Sequence, residues 1–98
     1  MVPCITSREN AAVKYACKVR DDAAFRRAEG VFFAEGGRLC EELARAFRPY
    51  KVYYLDSKRA AAEALGGQAR EVSLPVAQKL AGTRTPQGLF ALFPCPAP

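Results

Sequence analysis

Short apolar runs rich in β-forming residues alternate with segments of helical periodicity along this chain, and glycine or proline marks nearly every changeover. Val31-Phe32-Phe33-Ala34, bounded by Gly30 and Gly36, predicts a buried strand. Leu39, Cys40, Leu43, Ala44 and Phe47 then recur at helical spacing between Gly36-Gly37 and Pro49, and predict a helix with one apolar face. Lys51–Leu55 predicts a second strand. Asp56 or Ser57 caps an alanine-rich helix running to Leu65, and Gly66-Gly67 closes it, because glycine tolerates the positive φ of a helix C-terminus. Arg70–Ser73 reads as a short strand. Ser73 or Leu74 leads into a helix with Pro75 near its first position, where the missing N–H is not needed, and Ala81-Gly82 ends it. Leu89–Phe93 is the last strand. Strands alternating with helices imply an α/β fold, a three-layer α/β/α sandwich on a mixed, partly parallel sheet. The chain has no internal repeat and no low-complexity segment.

The N-terminal quarter is helical by pattern. Thr6-Ser7-Arg8-Glu9 fits a capping box, in which the hydroxyl takes one orphan backbone donor and Glu9 reaches back to another. The helix that follows runs to about Arg20 with Val13, Ala16 and Cys17 as its apolar stripe, and Lys14 and Lys18 on an adjoining face. Asp21 or Asp22 caps a second helix over Ala23–Arg27, which Gly30 stops. At the other end, Pro94-Cys95-Pro96-Ala97-Pro98 is suited to neither sheet nor helix and reads as the start of a linker, so the domain is expected over 1–93 and the linker over 94–98.

With 98 residues, 50% of them apolar and 26% charged, the chain makes one domain with an ordinary core. A chain of this size buries roughly two-thirds of its unfolded surface, enough to fold without staples or metals. Cys4, Cys17, Cys40 and Cys95 show no metal-ligand spacing and there is no histidine, so no metal is expected and the cysteines read as reduced thiols, Cys17 and Cys40 within the core. No secretory signal or membrane-length apolar run is visible, which points to a cytoplasmic protein. The net charge is +5, and the first 27 residues hold more than half of it, six cations against Glu9, Asp21 and Asp22. Clusters of this kind bind phosphate backbones by displacing condensed counterions.

Four stretches in register carry a family resemblance. Ile5-Thr6-Ser7-Arg8-Glu9-Asn10 with Val13-Lys14 resembles the opening motif of the SpoU/TrmH RNA methyltransferases. Arg20-Asp21, Phe25-Arg26, Glu29-Gly30 and Phe32 resemble its continuation. Glu35-Gly36 and Arg38-Leu39 match the start of that family's next helix, and Thr83 with Thr85-Pro86-Gln87-Gly88 matches its closing segment. Two features depart from the pattern: Ala11 stands where the family often has proline, and Ala60–Val76 matches only in outline. The resemblance implies a substrate-binding domain folded like ribosomal proteins that bind kinked RNA. It also implies a knotted catalytic domain beyond the linker, which binds S-adenosylmethionine and methylates a ribose 2′-hydroxyl in ribosomal or transfer RNA. A homodimer through that catalytic domain would follow from the same kinship. For this chain alone the expectation is no catalysis and no cofactor.

The residues can also be weighed one by one. Ser7, Arg8 and Asn10 lie at a helix N-terminus, where unpaired N–H groups and the helix dipole favour a phosphate, although Ser7 and Asn10 serve equally as caps. Lys14 belongs to an RNA surface if Arg8 joins it. Arg26 enters on the motif match. Arg38, on the first turn after Gly36-Gly37, can grip a phosphate bidentately or stack on an unpaired base. Glu35 orders that loop or pairs an arginine, rather than performing acid–base chemistry. Thr85-Pro86-Gln87-Gly88 fits a β-turn, which accounts for Pro86 and Gly88 but leaves the Gln87 amide free to read a base edge or a ribose hydroxyl, with Thr83, Arg84 and Thr85 beside it. The expected RNA-binding set is therefore Ser7, Arg8, Asn10, Lys14, Arg26, Arg38, Thr85 and Gln87. Tyr15 and Tyr50 suit stacking better than the core phenylalanines. Three functions are open to such a chain: a recognition module for a methyltransferase, a stand-alone ribosome-associated RNA-binding adaptor, or a protein-interaction or dimerisation domain.

Overall fold

The computed structural model describes residues 3–95. Its strands are β1 (Val31–Glu35), β2 (Lys51–Tyr54), β3 (Gln68–Glu71) and β4 (Leu89–Pro94). They form one sheet in the order β1-β4-β2-β3. β4 runs antiparallel to both its neighbours, and β3 lies parallel to β2, so β1, β2 and β3 point the same way. Ile5 adds a parallel bridge to Val72 beyond β3: its N–H donates to the Glu71 carbonyl (2.9 Å) and its carbonyl accepts from Ser73 N–H (3.0 Å).

Five helices cover the sheet: α1 (Ala11–Asp21), α2 (Ala23–Glu29), α3 (Gly37–Ala44), α4 (Arg59–Ala64) and α5 (Leu74–Ala81). The mixed sheet with helices on both faces is the expected α/β/α arrangement. β4 shows why the sequence selects it. Every residue from Leu89 to Phe93 is buried, with Phe90 and Leu92 packed among α1, α2 and α5, and Leu89, Ala91 and Phe93 among α3 and α4. A strand covered on both faces reads as a continuous apolar run rather than an alternating one. Burying each of its phenylalanines contributes roughly 1.5–3 kcal/mol.

Several local expectations shift. The first helix begins at Ala11, capped by Asn10, whose Oδ1 accepts from Ala12 N–H at 2.8 Å. Thr6-Ser7-Arg8-Glu9 is not a capping box, because Ile5 is still paired with the sheet and the chain needs Thr6–Glu9 to turn. Ser7 Oγ instead accepts from Glu9 N–H at 3.1 Å. Val19, rather than Cys17, completes the buried stripe of α1. The second helix is capped by Asp22 and stopped by Gly30 in the left-handed region, as expected, but extends to Glu29. The third helix stops at Ala44, before Pro49, and Leu39 leaves the expected apolar face: it is 50% exposed while Cys40 is buried. Asp56 and Ser57 do not cap the fourth helix. A 3₁₀ turn over Asp56–Lys58 precedes it, and the Asp56 carboxylate accepts from Arg59 Nη2 at 3.3 Å. β3 begins two residues before the expected strand.

β4 takes in Pro94, opposite Val31, one residue past the expected end. Leu92 O accepts from Tyr50 N–H on the β2 side, and Cys95 N–H donates to Gly30 O on the β1 side, both at 2.7 Å. The Pro94 nitrogen, which has no proton to donate, therefore points past the start of β2, where the ladder requires no donor. Residues 96–98 of the expected linker lie outside the described residues. No helix among the described residues is long and apolar enough to cross a membrane.

Candidate nucleic-acid interface

Because β1, β2, β3 and Ile5 all run in one direction, the segments that follow them converge on one edge of the sheet, together with the loop that precedes β4. In open α/β sheets, ligands bind outside the carboxyl ends of such strands. Six of the eight expected residues reach this upper edge from three parts of the chain. Ser7, Arg8 and Asn10 follow Ile5, Arg38 follows β1, and Thr85 and Gln87 precede β4.

Two grooves lie there. The first, about 500 Å³, is lined by Arg8, Lys79 and Arg84 with Glu9, Gln78 and Thr83. Lys79 Nζ donates to the Arg8 carbonyl at 2.9 Å and lies 4.0 Å from Glu9, which also pairs with Lys14 at 3.5 Å. One carboxylate thus serves two lysines. Arg8, Arg38 and Arg84 have no carboxylate partner among the described residues. Arg59, by contrast, is taken up by Asp56, Glu71 at 2.8 Å and the Tyr54 hydroxyl at 2.9 Å, and its guanidinium is held more firmly protonated by that company.

The second groove, about 380 Å³, is formed by Glu35, Gly36, Arg38, Leu39, Glu42 and Gln87. Glu35 Oε2 accepts from Gln87 N–H at 3.1 Å, so the β1–α3 turn and the loop before β4 are tied together. No backbone hydrogen bond links Thr85 to Gly88 among the described residues, and Gly88 O instead accepts from Leu55 N–H at 2.9 Å. Thr85 N–H donates to Thr83 Oγ1 at 3.4 Å, and Gln78 Nε2 donates to the Arg84 carbonyl at 3.0 Å. Gln87 lies across Gly36, whose φ is +103° and where a Cβ would stand 2.5 Å from Gln87 Oε1. Only glycine meets both conditions.

Arg26 is placed otherwise. Its Nη1 donates to the carbonyls of Val19 (2.7 Å) and Arg20 (2.8 Å), which closes the C-terminus of α1. Arg20 does the same for α5, donating to Lys79 O at 2.7 Å and Leu80 O at 2.8 Å while its other nitrogens hold Asp21. That hydrogen-bonded pairing raises the Arg20 pKa and lowers that of Asp21. Two arginines of the N-terminal motif therefore act as helix caps. Lys79 and Leu39 join the edge without having been foreseen. Lys79 carried a weak signal, as the only cation of α5; Leu39 carried none, because its spacing matches the apolar face. No group of three or more Cys, Asp or Glu side chains among the described residues could hold a metal ion.

A family model described as the MRM3-like substrate binding domain matches residues 10–91, most of the chain. The chain belongs to this family. Its fold recurs in an rRNA methyltransferase from Sinorhizobium meliloti, with a TM-score of 0.78 at 23% identity over 98% of this chain. It recurs in an RNA 2′-O ribose methyltransferase with a TM-score of 0.78 at 26% identity over 96% of the chain. The SpoU methyltransferase AviRb from Streptomyces viridochromogenes, in complex with AdoMet, gives 0.73 at 17% over 91%. The chain spans 38% of the length of the first two and 37% of the third. No curated protein matches the sequence. The kinship with SpoU/TrmH methyltransferases read from the four motifs therefore holds, and this MRM3-like domain is a substrate-binding domain by family.

Proposed function

We propose that this domain binds structured RNA, ribosomal or transfer RNA, through the upper edge of its sheet, on behalf of a cytoplasmic methyltransferase that modifies a ribose 2′-hydroxyl. The observation that carries the reading is the convergence of Ser7, Arg8, Asn10, Arg38, Thr85 and Gln87 on that edge, with Lys79 and Arg84 added and three arginines free of carboxylates. Phosphates dock against Arg8, Lys79 and Arg84, where each cation displaces counterions from the RNA. Arg38, Gln87 and the exposed Leu39 offer a fork, an amide and an apolar surface to an unstacked nucleotide.

The methyl donor of such an enzyme, S-adenosylmethionine, supplies an electrophilic methyl group. In the first groove three cations stand against the single carboxylate of Glu9, so the donor's sulfonium would meet a net like charge there. In the proposed enzyme the donor is bound by a catalytic domain distinct from this one.

The test is a salt series of binding between the purified domain and ribosomal RNA fragments, with plain duplex as competitor. The expected result is affinity that falls with salt at a slope of about −2 to −3, for three or four neutralised phosphates, and survives the duplex. Binding that is insensitive to salt, or lost to the duplex, would overturn the reading.

A further inference from the structure

At the opposite end of the sheet, where β1, β2 and β3 begin and β4 leaves, a cleft of about 640 Å³ opens, larger than either groove of the upper edge. Its walls are Tyr15 and Glu29 on one side and Arg48, Tyr50 and Gln68 on the other, with Pro94 between them. The floor is tight: a Cβ on Gly67 would stand 2.9 Å from the Pro49 carbonyl, so strand and turn touch backbone to backbone there.

Tyr50 is the unusual member. It is 52% exposed, whereas Tyr53 and Tyr54 are 4% and 5% exposed, yet its backbone is fixed to the sheet through Leu92. Lys51 Nζ lies 5.3 Å from the centre of its ring and donates to Gln68 Oε1 at 2.6 Å. Lys51 thus lies against the ring, whose exposed surface lines the cleft. Arg48 has no carboxylate partner among the described residues. The one acid of the cleft, Glu29, accepts from the Tyr15 hydroxyl at 2.8 Å. Arg48 and Lys51 thus set two cations beside an exposed aromatic ring, the combination of positive groove and stacking platform that holds single-stranded nucleic acid.

We infer that this cleft is a second nucleic-acid site, which takes one unpaired nucleotide with its base stacked on Tyr50 and its phosphate held by Arg48 and Lys51. The inference rests on the RNA-binding reading above and extends it: RNA folded against the upper edge is gripped again, by a single-stranded flank, at the end where β4 exits. Stacking on a tyrosine tolerates any base, so this site adds affinity and direction rather than sequence preference.

A fluorescein-labelled oligo(U) strand is the probe, titrated into wild type, Tyr50→Ala and Tyr50→Phe, and into ¹⁵N-labelled wild type for backbone shifts. Tyr50→Ala is expected to weaken oligo(U) about tenfold and Tyr50→Phe no more than about twofold, because the ring and not the hydroxyl is used. Shifts should appear at Tyr50 and at 66–68. An unchanged affinity in Tyr50→Ala, or shifts confined to the upper edge, overturns the inference. So does the appearance of the same shifts on concentrating the protein without RNA, which marks a self-association surface. If Tyr50→Ala does not fold, the wild-type shifts decide alone. Structured RNA measured with Arg8→Ala/Arg38→Ala separates the two readings: loss there with no effect of Tyr50→Ala leaves the upper edge standing and removes the cleft, and the reverse pattern does the opposite.

Discussion

At the residue scale, the arginines divide by where their nitrogens are spent. Arg26 closes α1 through two carbonyls. Arg26→Ala is expected to lower unfolding stability by about 1.5–3 kcal/mol, since both acceptors lose a charged donor, while the salt dependence of RNA binding stays as in wild type. Arg38→Ala should do the reverse, leaving the denaturation midpoint unchanged and reducing the salt slope by about one. A midpoint unchanged by Arg26→Ala, or a slope unchanged by Arg38→Ala, would reverse the assignments. Gly36→Ala meets both a positive φ and the Gln87 side chain. It should cost about 1–3 kcal/mol in denaturant unfolding and weaken RNA binding by displacing Gln87; full stability in that variant would mean the turn relaxes freely. The sequence could mark Arg26 as important but not as a cap, because the carbonyls it seeks come from a neighbouring helix end.

At the element scale, the strands and helices were legible and their ends were not. The run Leu89–Phe93 has no polar residue, so only a strand buried on both faces suits it. Thr6-Ser7-Arg8-Glu9 has the residues of a capping box, and only the pairing of Ile5 with Val72 delays the helix to Ala11. Leu39 fits the period of its helix, yet α3 is short and packs through Cys40, Leu43 and Ala44, which leaves Leu39 exposed on the upper edge. The contact between α1 and α2 has a pH signature. Burial, and then the hydrogen bond to Glu29, push the Tyr15 phenol up to about 12. An unfolded tyrosine ionises near pH 10, so this contribution to stability is complete below about pH 10 and lost as pH rises towards 12. Tyr53, whose phenol burial also raises, adds to the fall in the same direction. In an alkaline series of denaturation midpoints, Tyr15→Phe should therefore decline less steeply than wild type. Identical declines would show that Tyr15 is not the group responsible.

At the scale of the whole molecule, the parallel run of Ile5, β1, β2 and β3 turns scattered residues into a surface. Arg8 and Arg38 are 30 positions apart in the sequence, and Gln87 lies 49 further on, yet sheet direction brings them to one edge. The motif pattern indicated Arg8, Arg38 and Gln87. Strand polarity, which decides that they meet, was only partly readable, because nothing local marks β4 as the antiparallel member. The most direct test is backbone amide shift mapping of the ¹⁵N-labelled domain as a structured ribosomal RNA fragment is added at low salt. The upper-edge assignment predicts the largest changes over 7–10, 36–39 and 82–88 and little change at Arg26. Changes centred on α2 with none over 82–88 would contradict it.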